Sequence, residues 1–162
     1  MSRKILGLDF GGKNIGVAIS DELGLTAQPI ETIKRKSLKE DLRYISNLVK
    51  KHQIIKIVVG LPRNMNGSLG NQARKVLTFA ERLQKELDLP VITWDERLST
   101  VAVTRVLIDA DISRKKRKRL VDKLAAAYIL QGYLDLTYGK TESRKETEVK
   151  ESEPADHTGG KK

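Results

Sequence analysis

The stretch "ILGLDFGGKNIGVAIS", residues 5–20, decides the fold. Ile5–Asp9 is a short apolar run typical of a buried strand, and residues 15–20 alternate large and small side chains as a second strand does. Glycine reaches positive φ without steric cost, so the "GGKN" connection predicts a tight hairpin. The first strand therefore ends on a carboxylate, Asp9, which needs a partner that neutralises its charge.

Strands and helices alternate along the rest of the chain. The predicted elements are a strand over 26–33, a helix from the Ser37–Glu40 capping box to about His52, a strand over 54–60, a helix over 73–87, a strand over 91–94, a helix capped by Ser99 or Thr100 and ending near Ile108, a loop over 113–119 and a last helix over 120–136. This order predicts an α/β fold with helices on both faces of the sheet. The leading hairpin makes the sheet mixed rather than purely parallel.

The chain is strongly basic, and the charge is unevenly placed. The formal net charge of the 162 residues is +10, but residues 140–162 contain six basic and six acidic residues. The excess therefore belongs to residues 1–139, which we predict to be one folded domain, and it favours a polyanion such as nucleic acid as partner. The simpler alternative is that the excess of basic residues only keeps the protein soluble. Residues 140–162 have almost no apolar side chains, so we predict a disordered charged tail.

Several classes of protein are disfavoured by composition. There are no cysteines, which excludes disulfides, cysteine-based zinc sites and thiol nucleophiles. The start of the sequence lacks a secretory apolar core, and no apolar run approaches the ~20 residues that cross a bilayer. We therefore expect a cytoplasmic protein without membrane contact.

Three acidic positions lie where a charge is costly. Asp9 ends a strand, Asp95 and Glu96 follow another, and Asp122 lies on the helix face that carries Ala126 and Ile129. Each alone has an ordinary explanation, namely an Asx turn, an ion pair or a helix terminus. Together, inside a basic domain, they predict a bound cation, because clustered carboxylates repel one another. Hard oxygen ligands suit Mg²⁺ or Mn²⁺. One or two such ions can activate a water molecule for attack on a phosphodiester.

Four blocks of sequence resemble one family. "LGLDFGGKNIGVAISD", "VVGLPRNMNGSLGNQA", "DERLST" and "VDKLAAAYILQGYL" occur in the order found in the YqgF/RuvX family and span residues 4–136. The resemblance implies an RNase H-like fold related to the resolvase RuvC, with a five-stranded mixed sheet whose second strand is antiparallel. It also implies a metal-dependent nuclease that matures the 5′ end of precursor 16S rRNA. Resolvase-like cleavage of branched DNA is the competing activity.

The resemblance assigns the acids position by position. The family's catalytic and metal-binding carboxylates fall on Asp9, Glu96 and Asp122, and whether Asp95 shares the metal is left open. The sequence departs from the family at Asn14, where an arginine commonly follows the lysine of the glycine turn.

The candidate substrate contacts are basic or amide side chains around these acids. They are Lys13 in the glycine turn, Arg63 and Asn71 in the Gly-rich loop, Arg97 after the acids, and the basic run Arg114, Lys115, Lys116, Arg117, Lys118 and Arg119. Each also has a structural interpretation, such as a turn or an ion pair.

Three other functions compete with the rRNA nuclease. They are a Holliday-junction-resolvase-like DNA endonuclease, a non-catalytic RNA-binding factor, and an actin-like ATPase or sugar kinase, which also begins with a glycine hairpin. The kinase class needs two such domains, and this sequence contains one such hairpin. The expected partners are precursor rRNA, ribosomal precursor particles or branched DNA, with the protein a monomer or a weak homodimer.

Overall fold

The hairpin predicted for residues 5–20 forms the start of the sheet. In this computed structural model, β1 (Ile5–Phe10) runs antiparallel to β2 (Asn14–Ser20). The Gly11 N–H donates to the Asn14 carbonyl at 2.9 Å and closes the turn between them. The structure describes residues 3–64, 66–95, 108, 110 and 113–152, and of residues 115, 118, 119, 122 and 138–152 it describes the backbone alone.

Three further strands join this hairpin in a five-stranded sheet. They are β3 (Ala27–Lys34), β4 (Lys56–Leu61) and β5 (Val91–Asp95). The order across the sheet is β3-β2-β1-β4-β5. The strands β1, β4 and β5 are parallel, whereas β2 is antiparallel to both of its neighbours. The predicted mixed sheet with an antiparallel second strand is therefore confirmed.

Two helices cover one face of the sheet. Helix α1 (Leu38–His52) begins at the predicted cap, where the Ser37 hydroxyl accepts the Glu40 N–H at 3.1 Å. Helix α2 (Asn71–Leu87) connects β4 to β5. Their apolar sides pack on the strands in a core that includes Leu8, Ile45, Val59, Phe79 and Leu83.

The opposite face is covered by helix α3 (Arg114–Ser152), which confirms the prediction of helices on both faces. This helix comes unusually close to β1. A Cβ at Gly7 would lie 2.8 Å from the Leu130 Cβ and 3.2 Å from the Ala126 carbonyl oxygen. Ala126 and Leu130 of α3 thus meet a strand position that has no side chain, and this close approach fixes the helix over the middle of β1.

The beginning of α3 differs from the prediction. Residues 113–119 were predicted to be a loop, and this prediction is wrong, because the helix begins at Arg114. The Ser113 hydroxyl caps it by accepting the Lys116 N–H at 3.3 Å, and the Ser113 carbonyl accepts the Arg117 N–H at 2.8 Å. Lysine and arginine are good helix formers, and a capped start outweighs the mutual repulsion of their charges.

The end of α3 also differs. The helix continues through residues 140–152, which we predicted to be disordered, and residues 153–162 lie outside the described part of the chain. Opposite charges four residues apart, as at Arg144 and Glu148 or Glu146 and Lys150, favour a helix even where no apolar face exists. Although α3 is 39 residues long, no helix within the described ranges is both long and apolar enough to cross a membrane.

One edge of the sheet collects the carboxyl ends of the three parallel strands. Asp9 is the next-to-last residue of β1, and Asp95 is the last residue of β5. Helix α3 crosses the sheet in the direction opposite to β1, because Ala126 lies at Gly7 while the Tyr133 hydroxyl accepts from Lys56 Nζ, at the start of β4, at 3.0 Å. The amino-terminal part of α3 therefore lies toward the edge that carries Asp9.

Candidate active site

Asp9 lies on the face of the sheet that α3 covers. Its neighbours Leu8 and Phe10 belong to the core on the other face, and side chains alternate along a strand. The carboxylate is half-buried. Its partner on β2 is Gly16, and on β4 Gly60 follows Val59, the register partner of Leu8. With glycine on both sides, neither neighbouring strand places a side chain next to this carboxylate.

Asp122 lies on the part of α3 between the basic run and the residues that pack on β1. This residue lies one helical turn before Ala126, toward the edge of the sheet that carries Asp9. It shares a helix face with Ala126 and Ile129, both of which pack on the sheet. The geometry thus places the Asp122 position on the same face and at the same edge as Asp9. The Asp122 side chain lies outside the described residues.

Two acids, Asp95 and Glu96, lie at the carboxyl end of β5 in the sequence, and the structure describes only the first of them. Asp95 is the last residue of this strand, while Glu96 and Arg97, both predicted site residues, lie outside the described residues. Ile92 and Trp94 pack toward α3, so alternation directs Asp95 to the opposite face from Asp9. There its carboxylate lies 3.8 Å from Arg63 Nε. This geometry does not favour a shared role of Asp95 with Asp9.

Whether the site suits a divalent ion depends on the side-chain oxygen atoms available to bind it. Within the ranges that the structure describes, no three histidine, cysteine, aspartate or glutamate side chains are grouped closely enough to hold a metal. Asp9 is the one member of the predicted trio whose side chain is described. It is a hard oxygen donor in a half-buried position, which suits Mg²⁺ or Mn²⁺.

The Gly-rich loop carries two predicted substrate contacts. Arg63 donates to the Gly67 carbonyl at 3.0 Å in addition to its contact with Asp95, and thus it organises the loop. Asn71 is the first residue of α2 and is exposed. The Gln72 side chain donates to the Phe10 carbonyl at 3.2 Å, so the start of α2 is tied to the end of β1, beside Asp9.

The basic run occupies the first two turns of α3. Among its described side chains, Arg114 and Lys116 are exposed and Arg117 is partly buried. Because α3 runs away from the Asp9 edge, its first turns lie toward that edge. Lys13 is exposed in the turn that follows Asp9. The sequence-predicted cations that the structure describes are therefore near the edge where the acids are expected to meet.

An ion pair that the sequence did not reveal holds the glycine turn. Arg35 donates to the Gly11 carbonyl at 3.1 Å, and its guanidinium lies 4.2 Å from the centre of the Phe10 ring. On its other side, Arg35 Nε lies 3.6 Å from a carboxylate oxygen of Asp41, which is only 3 % exposed. Asp41 also accepts the Lys36 N–H at 3.1 Å. This network fixes the turn that directly follows the Asp9 strand.

We expect Asp41→Ala to lower the free energy of unfolding by about 2 kcal/mol, because it leaves the Lys36 N–H without its acceptor and the partly buried Arg35 without its ion-pair partner. Asp41→Asn keeps an acceptor oxygen for Lys36 and should cost about half as much. Urea denaturation followed by circular dichroism measures both variants. An Asp41→Ala midpoint equal to that of the parent would show that this network contributes nothing to stability.

Comparison with solved structures defines the class of fold. The RuvC of Thermus thermophilus, solved in complex with a Holliday junction substrate, superposes with a TM-score of 0.55 at 15% identity, covering 85% of this chain and 96% of RuvC. The fowlpox virus resolvase in its Holliday junction complex gives 0.52 at 14% identity, covering 83% and 98%. The fold is therefore the RNase H-like α/β fold of the RuvC-type resolvases, as predicted.

Sequence comparison then gives the family. The chain belongs to the RuvX family, described as Holliday junction resolvase, whose family model matches residues 3–136. A relative from Clostridium tetani is 56% identical over 137 residues, covering 85% of this chain and 99% of the relative. One from Halothermothrix orenii is 58% identical over 132 residues, covering 82% and 94%. Both relatives carry the name "Putative pre-16S rRNA nuclease". The family predicted from the four sequence blocks is thus confirmed.

Proposed function

We propose that this protein is a nuclease that hydrolyses phosphodiester bonds at the carboxyl edge of its sheet, with Asp9 as the central catalytic carboxylate. The observation that carries the proposal is the placement of Asp9. It is half-buried between Gly16 and Gly60, on the face and at the edge where α3 brings the Asp122 position. A basic domain gains nothing for nucleic-acid binding from acids collected at one place, whereas metal-assisted phosphodiester hydrolysis uses such a site.

Asp9, Glu96 and Asp122 would together hold one or two Mg²⁺ or Mn²⁺ ions. Such ions, when bound, supply an activated water and neutralise charge on the phosphate. Hydrolysis joins the water oxygen to phosphorus, breaks the bond to the leaving oxygen, and yields one phosphate end and one hydroxyl end. The carboxylates orient these groups, while Arg97 and the basic run of α3 hold the phosphates on either side of the cleaved bond.

Precursor 16S rRNA is the substrate that the names of the relatives favour. Two relatives, each more than half identical to this chain, are named for this RNA. The experiment compares precursor rRNA and a four-way DNA junction as substrates of matched length, each with Mn²⁺ and with a chelator. Cleavage of the rRNA at its 5′ processing site, only with Mn²⁺, supports the proposal. Binding without cleavage of either substrate would indicate a non-catalytic RNA-binding factor.

Resolution of branched DNA is the second candidate function. It is favoured by the description of the RuvX family and by the fold shared with two resolvases solved on Holliday junctions. Symmetric cleavage of a junction requires two active sites and therefore a dimer. Preferential cleavage of the four-way junction, by a species that sedimentation shows to be dimeric, would select this function over rRNA processing.

The basic run of α3 gives a prediction about salt. We expect neutralisation of Arg114, Lys115, Lys116 and Lys118 to glutamine to weaken RNA binding and to reduce the slope of log affinity against log salt by up to about 3, since each lost phosphate contact removes about 0.7. Filter binding over a range of salt concentrations measures this slope. Glutamine at Lys50, Lys51, Arg82 and Lys85 removes equal charge at a distance and serves as control. An unchanged slope in the α3 variant would remove the run from the interface.

A further inference from the structure

A cationic cleft lies beside the glycine turn, and of its residues only Lys13 has been given a role, as a candidate substrate contact. It measures about 500 Å³ and is lined by Gly12, Lys13, Asn14, Lys34, Arg35 and Lys36. The sheet register places Asn14 opposite Lys34, and the Arg35 N–H donates to the Lys13 carbonyl at 2.9 Å. Strand pairing therefore holds cations from two distant parts of the sequence against one another. We call this feature the turn cleft.

Three of these cations face solvent. Lys13, Lys34 and Lys36 are exposed, and no ion pair joins any of them to a carboxylate of the described residues. Arg35 is turned inward, toward the glycine turn and Asp41. The buried Asp41 carboxylate is thus already paired with Arg35, and its negative charge does not neutralise the charges of the three lysines. Like charges held together without partners are unfavourable unless an anion binds to them.

A second pocket continues the turn cleft along α1. It measures about 410 Å³ and shares Lys34 and Lys36 with the turn cleft. Its other wall includes Arg43, Asn47 and Tyr44, and Tyr44 is 43 % exposed. The Tyr44 hydroxyl donates to Glu31 at 2.8 Å, which holds the ring in place. This hydrogen bond to a carboxylate, with some desolvation, raises the pKa of Tyr44, so the phenol stays neutral.

We propose that the turn cleft binds backbone phosphates of a single-stranded segment of the nucleic-acid substrate, with one base of that segment stacked on Tyr44. This proposal rests on the proposed nuclease function and adds to it a path for the substrate strand. Lys13 lies in the turn that directly follows the Asp9 strand, so the cleft begins at the edge of the sheet that carries Asp9. Tyr44 lies on α1, which covers the face opposite to Asp9, so a strand that leaves the active site would pass round this edge to reach it. Cations that track a backbone beside an aromatic ring are the usual features of single-strand binding.

The two joined pockets favour a strand over a small anion. A free phosphate would occupy the turn cleft alone and would leave Arg43 and Tyr44 without a role. Glu31 and Glu40 lie at the second pocket, where they disfavour a continuous run of phosphates but not a neutral base. Phosphates near Lys13, Lys34 and Lys36 and a base at Tyr44 therefore match the charge along the surface.

The test measures the affinity of a labelled oligouridine strand in an Asp9→Asn background, where we expect little cleavage of the strand. We expect the triple variant Lys13→Gln, Lys34→Gln, Lys36→Gln to bind at least about tenfold more weakly and to lose about 2 from the salt slope. The bond from the Lys36 N–H to Asp41 is unaffected by these changes, and circular dichroism confirms folding. Glutamine at Lys50, Lys51 and Lys85 is the matched control. Parent-like affinity and slope in the first triple variant would overturn the proposal.

The contribution of Tyr44 is tested separately. We expect Tyr44→Ala to weaken oligouridine binding by about tenfold, while Tyr44→Phe, which keeps the ring and loses the bond to Glu31, binds like the parent. An abasic strand of the same length should not distinguish the three proteins. Equal loss with the abasic strand would refute stacking. Complete displacement of oligouridine by inorganic phosphate at constant ionic strength would indicate an anion pocket instead of a strand site.

Failure of this proposal is distinguishable from failure of the nuclease function. With Asp9 intact, the lysine triple variant should raise KM for a single-stranded substrate and leave kcat nearly unchanged, because the cleft contacts the strand away from the cleaved bond. Unchanged KM with normal cleavage refutes the cleft alone. Absence of metal-dependent cleavage in the parent protein refutes the nuclease function, whatever the cleft binds.

Discussion

Asp9→Asn is expected to reduce phosphodiester cleavage by about 10³-fold or more. The substitution keeps the size of the side chain and removes its charge, so the loss reports on catalysis rather than on folding. Charge stabilisation by an ion held at such a site is worth several kcal/mol in the transition state, and each 1.36 kcal/mol corresponds to about tenfold in rate. The measurement is single-turnover cleavage of precursor rRNA with saturating Mn²⁺.

Asp88→Asn is the matched control for this experiment. Asp88 is an exposed carboxylate that ends α2 in the left-handed conformation, with φ 51°, which asparagine also tolerates. Asp88→Asn makes the same chemical change as Asp9→Asn, but at the end of α2 that is distant from Asp9. We expect this variant to cleave like the parent. Parent-like cleavage by Asp9→Asn under the same conditions would contradict the assignment of Asp9 as the central carboxylate.

Gly7→Val is expected to have the largest effect on stability. Even a Cβ at this position would lie 2.8 Å from the Leu130 Cβ, and both atoms are on packed elements that have no free end to move. Overpacking of a core costs about 1–3 kcal/mol or more, a large share of the 5–15 kcal/mol that typically stabilises a domain. We expect the midpoint of urea unfolding to fall accordingly, with Gly7→Ala intermediate.

The same substitution tests how α3 is placed. If α3 moves away from β1 to admit the new side chain, the Asp122 position moves away from Asp9, and cleavage should fall even where the variant is folded. Gly12→Ala is the control, because a Cβ at Gly12 meets nothing within 4 Å. We expect its stability to change by no more than about 0.5 kcal/mol. A Gly7→Val variant with parent-like stability would show that the close approach of α3 is not required.

Much of the fold follows from local sequence patterns. The apolar runs that form β1, β4 and β5 and the Ser37 cap of α1 were predicted within two residues, because strand alternation and capping are local properties. The start of α3 was not, because a run of six cations resembles a solvated loop. Only the structure shows that Ser113 caps the helix and that the apolar face behind the run anchors it to the sheet.

The candidate site depends more on tertiary structure. Asp9 was identifiable because a buried strand that ends on an acid is unusual. The glycines beside it were not, since Gly16 and Gly60 become its neighbours only through strand register. The pairing of Arg35 with Asp41 was likewise hidden, because an arginine between two lysines resembles surface charge until a buried acid lies 3.6 Å away.

Titration of Mn²⁺ by electron paramagnetic resonance tests most directly whether Asp9, Glu96 and Asp122 form one metal site. It detects free and bound ions without any need for activity. We predict that Asp9→Asn, Glu96→Gln and Asp122→Asn each weaken Mn²⁺ binding by at least about tenfold, while Asp95→Asn, whose carboxylate is directed to the opposite face, binds like the parent. Undiminished Mn²⁺ binding in all three variants would contradict a shared site.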